Sequence, residues 1–193
     1  MEEEWENPVQ QSLARLSQRA AEFGLSDFLL IGGNAVIAYG VPRFTRDLDF
    51  VIPDREQESW RRFLEANNFC FIHGTPAFAQ FLDSDKEKPR VDLMLVGEST
   101  WSRLRSKARN FELSDGISIP LVAPEHLIAM KLRACLSPDR RSGAVDWSDV
   151  VELCIRNGFD PEKDPTFAEL VIQFGSDSLL EKLIHELANR NGN

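Results

Sequence analysis

The stretch FLLIGGNAVIAYGVPRFTRDLDFVI, residues 28–52, constrains this chain more than any other. An apolar run ends in Gly32-Gly33, and Asp47-Leu48-Asp49 follows inside a second apolar run. That order predicts a buried strand, a tight glycine turn opening a helix, and a second strand carrying two carboxylates. Side chains alternate along a strand, so Asp47 and Asp49 share one face, about 7 Å apart, while Leu48 and Phe50 take the other. Buried paired carboxylates require a cation. Beside a glycine turn they point to a magnesium–nucleotide site. Arg90-Val91-Asp92-Leu93-Met94-Leu95 adds a third acid of the same kind, a single Asp in a short apolar strand.

Composition narrows the classes. A chain of 193 residues with 42% hydrophobic and 27% charged residues reads as a globular domain, or as a domain with a small appendage. No apolar run is long enough to cross a bilayer, and MEEEWENP lacks the basic start and apolar core of a signal peptide, so a cytoplasmic protein is expected. A net charge of −9 argues against nucleic-acid binding over the whole surface. The cluster Arg103, Arg105, Lys107, Arg109 would be scattered round a helix and solvated. Cys70, Cys135 and Cys154 form no CxxC pair and sit among apolar residues, which predicts reduced and mostly buried thiols. His73, His126 and His185 have no metal-ligand spacing and read as structural or surface residues.

Along the chain, residues 8–23 have helical apolar spacing with Gly24 as a stop. Strands are expected at 27–31 and 46–52, with a short helix at 34–39 between them. Asp54 is placed to cap a helix over 55–67. Strands follow at 69–73, 77–82 and 90–96, a helix at 98–107, and a weak hairpin over 111–121 turning at Asp115-Gly116. From Pro124 onward the pattern is helical: 125–136, 146–157, 165–174 and 178–189. The expected fold class is α/β (α+β), a mixed sheet flanked by helices. The division is 1–123 as a catalytic domain and 124–193 as a C-terminal helical part. Trp60, Trp101 and Trp147 read as packing residues. Arg43 and Arg46, near Asp47, read as salt-bridge partners or phosphate contacts.

Gly32-Gly33, Asp47-Leu48-Asp49-Phe50 and a later Asp92, in that order, resemble the signature of the nucleotidyltransferase superfamily, the polymerase-beta-like fold. Within it, GGNAVIAYG…TRDLDF looks most like the AbiEii-type group, which includes toxin halves of bacterial toxin–antitoxin pairs. Residues 124–134, PEHLIAMKLRA, are similar to that group's Lys-bearing helix. Arg140-Arg141 with Asp146-Trp147-Ser148-Asp149-Val150 is similar to its last motif. The resemblance covers roughly residues 25–155. Two positions depart from it: Gly33 and Asn34 stand where many members have Ser, and Val145 stands where the group often has Lys.

The resemblance implies transfer of a nucleoside monophosphate from an NTP to a hydroxyl, with two Mg2+ ions. Asp47 and Asp49 would hold both, and Asp92 would hold the catalytic one and help deprotonate the acceptor. Gly32 and Gly33 would let backbone approach the phosphates, Asn34 is the candidate for the missing Ser contact, and Lys131 would neutralise the triphosphate. The acceptor is left open among RNA, protein and a small molecule such as an aminoglycoside, and an antitoxin partner is possible on the toxin reading. The rivals are a catalytically weak nucleotide- or partner-binding module on this fold, and an antibiotic nucleotidyltransferase of aminoglycoside type.

Overall fold

The structure, a computed structural model, describes residues 8–84, 88–113, 116–137 and 143–191. Asp115 and the Arg140-Arg141 pair fall outside them. The described chain divides into two compact units, one within residues 8–35 and 43–122, the other within 36–42 and 123–191. Among the described residues, no helix is long and apolar enough to cross a membrane.

The first unit is built on a seven-stranded mixed sheet. In chain order its elements are α1 (Pro8–Glu22), β1 (Leu29–Leu30), the start of α2 (Gly32–Ala38), β2 (Asp47–Pro53), α3 (Gln57–Ala66), β3 (Phe69–Thr75), β4 (Phe78–Asp83), β5 (Arg90–Val96), α4 (Glu98–Ser106), β6 (Arg109–Glu112) and β7 (Ser118–Leu121). The spatial order is β3-β4-β5-β2-β1-β7-β6. β2 lies parallel to β5 at the centre, β1 runs antiparallel to β2, and β7 runs parallel to β1. The fold expected from the apolar and turn pattern is therefore present.

Alternation explains the central strand. Leu48 and Phe50 are buried at 1% and 0% exposure, whereas Asp47 and Asp49 are only half-buried. Leu48 lines a crevice together with Leu16 of α1, and Phe50 packs against Trp60 of α3, so helices cover the face opposite the acids. Phe28, Phe50, Trp60 and Phe63 form an aromatic cluster with ring centroids 5.4–5.6 Å apart, mostly edge to face. All three tryptophans named above are buried.

The second unit holds α5 (Pro124–Cys135), α6 (Gly143–Asn157), α7 (Pro165–Phe174) and α8 (Asp177–Asn191). Pro124 opens α5, where its missing N–H costs nothing. Leu127, Ile128, Leu132, Val150, Leu153 and Val171 are buried between these helices. Asp164 caps α7, accepting from Thr166 N at 3.0 Å and Phe167 N at 3.2 Å. α6 begins at Gly143, ahead of the expected Asp146.

Three expectations are corrected. The first strand shrinks to Leu29–Leu30 because α2 begins at Gly32, which adopts φ +65°. Asp54 does not cap α3: it opens a short 3-10 turn, and the cap residue Glu56 makes no side-chain capping bond. Cys70 is exposed on β3, because that strand edges the sheet and shows most of its residues to solvent. Cys135 is half-buried and Cys154 buried.

Candidate functional site

The parallel register of β2 and β5 assembles the acids. Asp47 pairs with Arg90 and Asp49 with Asp92, so the three acids and one arginine occupy neighbouring positions on one face of two adjacent strands. Both strands enter the sheet at this end, which gathers residues distant in sequence. Gln80 on β4 stands beside Asp92, and its Nε2 donates to Asp92 Oδ1 at 3.1 Å.

The glycine turn meets the same place from the other side of β2. Ile31 N donates to Asp49 O at 3.0 Å, and the chain then turns into α2 through Gly32. A Cβ on Gly32 would stand 2.0 Å from Asp49 Oδ2. Only glycine allows both that approach and the positive φ. At Gly33 a Cβ would stand 2.6 Å from Thr45 Oγ1 and 3.3 Å from the guanidinium carbon of Arg43. Asn34 is buried, and its Nδ2 donates to Asp47 O at 2.7 Å. Its amide thus ties the start of α2 to the start of β2.

Arg90 dominates the electrostatics. Its Nη2 contacts Asp47 Oδ2 at 2.6 Å and Asp92 Oδ2 at 3.1 Å. Burial pushes the Asp92 carboxyl above its usual range; Arg90 and the Gln80 hydrogen bond oppose that rise, and the Asp47 charge adds to it. Among the described residues, no three His, Cys, Asp or Glu side chains are gathered tightly enough to form a ready metal cage. Arg46, expected to face Asp47 or a phosphate, lies with its guanidinium 5.3 Å from the ring centroid of Phe44, which is 70% exposed.

Lys131 belongs to the second unit and is buried, at 8% exposure. Its Nζ contacts Asp146 Oδ1 and Asp149 Oδ2, each at 2.8 Å, and both aspartates are buried. Two positions in the loosely matched last motif are therefore joined to the Lys of the preceding helix. Arg90 and Gln80 are the site neighbours that sequence reasoning missed. The available signal was alternation: Arg90 precedes Asp92 by two residues and must share its face.

No family model matches the chain, and no curated protein matches it. Solved structures do. ANT(2″)-Ia in complex with adenylyl-2″-tobramycin superposes with TM-score 0.63 at 14% identity, over 86% of this chain and 95% of that one. The lincosamide antibiotic adenylyltransferase LnuA, lincomycin-bound, gives 0.55 at 14% identity, over 74% and 96%. An antigenic nucleotidyltransferase-like protein from Paracoccidioides brasiliensis gives 0.52 at 16% identity, over 86% and 93%. With the mixed sheet and its helices, these likenesses establish that the chain has the nucleotidyltransferase-like fold.

Proposed function

We propose that this chain is a nucleotidyltransferase, moving a nucleoside monophosphate from an NTP to a hydroxyl and releasing pyrophosphate. The observation that carries the reading is the register that sets Asp49 beside Asp92, with Asp47 on the same face and Gly32 against Asp49. The donor chemistry fits a divalent cation: three hard carboxylates on adjacent strands, two of which already share one positive group, Arg90. Asp47, Asp49 and Asp92 would hold Mg2+, two ions on the two-metal scheme, and bound metal would supply charge neutralisation at the transferring phosphorus and its leaving group.

The chain's own residues then have distinct tasks. The acceptor oxygen attacks the α-phosphorus, the bond to the bridging oxygen of the β-phosphate breaks, and the acceptor's proton must leave. Asp92 is the candidate to take that proton, since burial raises its proton affinity. Gly32 and Gly33 expose backbone where phosphates would approach. Asn34 acts by fixing Asp47's strand, since its amide is committed to Asp47 O. Lys131 stays in the proposal as a triphosphate contact, and would have to exchange one of its two carboxylates for a phosphate oxygen to serve.

The acceptor follows less directly. The solved structures that share the fold include the lincosamide antibiotic adenylyltransferase LnuA with lincomycin and ANT(2″)-Ia with adenylyl-2″-tobramycin, which supports a small hydroxylated acceptor. The toxin reading, and with it an antitoxin partner, is supported only by the AbiEii-like wording of residues 32–50, 124–134 and 140–150.

The test is label transfer. Purified protein is incubated with each α-phosphate-labelled NTP and Mg2+, with RNA, cell lysate, a lincosamide or an aminoglycoside as acceptor. Label should enter one acceptor and vanish in Asp47→Ala/Asp49→Ala. NTP binding without any transfer would replace the enzyme with a nucleotide-binding module.

A further inference from the structure

Arg90 stands outside the chemistry proposed above, yet it holds the centre of the site. One terminal nitrogen, Nη2, serves both Asp47 Oδ2 and Asp92 Oδ2. Its Nε is buried and has no hydrogen-bond partner among the described residues, while Nη2 stays between the carboxylates. The side chain is 36% exposed, which leaves it a way out toward solvent.

Gln80 takes Asp92 Oδ1, and Arg90 Nη2 sits on Oδ2. A cation bound through Asp47 Oδ2 and Asp92 Oδ2 would take the oxygens that Nη2 contacts. Two positive groups contend for them, because like charges a few ångströms apart repel strongly at the dielectric of a protein surface. Without any cation there, the carboxylates would repel each other instead.

We propose that Arg90 is the resident cation of this site, and that a divalent metal ion enters by displacing its Nη2 from Asp47 and Asp92. The proposal rests on the reading of Asp47, Asp49 and Asp92 as metal-holding residues. Arg90 thereby keeps the metal-free site closed on itself and sets the metal concentration at which it opens.

The experiment is Mn2+ binding to the full chain without nucleotide, read from the spin-resonance signal of free Mn2+. The proteins compared are the wild type, Arg90→Gln, Arg90→Lys and Asp49→Asn. Removing the competing charge in Arg90→Gln should tighten Mn2+ binding by about tenfold or more, because a like charge no longer contends for the carboxylates. Its melting temperature without divalent ions should fall below wild type, and Mn2+ should raise it by more than it raises wild type. A merely structural salt bridge predicts the first melting change but not the tighter binding. Should Arg90→Gln not fold, Arg90→Lys keeps the charge while losing the reach to both carboxylates, and its affinity should also exceed wild type. Equal or weaker Mn2+ binding in these variants, with binding lost in Asp49→Asn, would overturn the role of Arg90 and leave the metal reading standing. No Mn2+ binding by any protein, wild type included, would overturn the metal reading and this inference with it.

Discussion

Replacing Gly32 with alanine would force two penalties onto one residue. Its φ of +65° costs a residue with a Cβ about 1–2 kcal/mol, and the new methyl would stand 2.0 Å from Asp49 Oδ2. Asp49 or the turn must move, so Gly32→Ala should lose nucleotidyl transfer even where unfolding in urea shows the fold retained. Wild-type activity in that variant would remove the turn from the site. Asp92 makes a different prediction, in protein freed of divalent ions by chelator. Burial raises its carboxyl above the ordinary range, so the folded protein binds that proton more tightly than the unfolded chain does. As pH rises from the ordinary aspartate value through the raised one, the unfolded chain releases the proton first and stability falls. Asn cannot titrate. Asp92→Asn should therefore gain stability relative to wild type across that window and hold the gain above it, in urea unfolding at a series of pH values. A difference that does not vary with pH would contradict the burial of Asp92. At this scale the acids and glycines were legible because each is an anomaly in an apolar run. Arg90 was legible only as sharing the face of Asp92; that it meets Asp47 depends on the register of β5 against β2.

Elements show the same division between local and non-local information. The helix stops at Gly24 and Gly158 were readable because positive φ, +87° and +72°, is a local demand that glycine meets. The capping role assigned to Asp54 failed because a 3-10 turn intervenes, whereas Asp164 is a true cap, directly before Pro165 at the first helical position. The shortness of β1 was not readable either: it reflects where α2 must begin for Gly32 to reach Asp49. Helical spacing fits Lys131 as a surface lysine and as a site lysine equally; α5 and α6 bury it between Asp146 and Asp149. Removing the lysine of such a set takes the countercharge from two buried carboxylates, a loss of about 3–5 kcal/mol. Lys131→Met should therefore unfold at markedly lower denaturant, and adding Asp146→Asn and Asp149→Asn to it should recover much of the loss. A Lys131→Met protein as stable as wild type would mean the lysine is not held there. If stability survives and NTP binding alone weakens, the triphosphate role gains the support it now draws from resemblance.

For the whole molecule, the mixed sheet and the helical C-terminal part followed from periodicity, whereas strand order did not. No local pattern tells β7 to lie beside β1, or β5 beside β2; those pairings come from which apolar faces bury together. The three free cysteines sample the result. Cys70 is exposed on the edge strand β3 of the first unit, while Cys135 and Cys154 lie in the second unit, half-buried and buried. Burial pushes the Cys154 thiol up to about 12, and the Cys135 thiol is also raised, by burial first and then by the Asp146 charge. The thiolate is the species that alkylates, so exposure puts Cys70 ahead, and the raised proton affinity of Cys135 and Cys154 slows those two. In native protein at mildly alkaline pH, iodoacetamide should modify Cys70 first, Cys135 more slowly, and Cys154 only when the second unit opens. Peptide mass analysis over time gives the order, and rising urea gives the concentration at which Cys154 joins. Its onset then reports the stability of the helical unit separately from the sheet, where Cys70 reacts throughout. Modification of Cys154 as fast as Cys70 without denaturant would show that α5, α6, α7 and α8 do not close over it in solution.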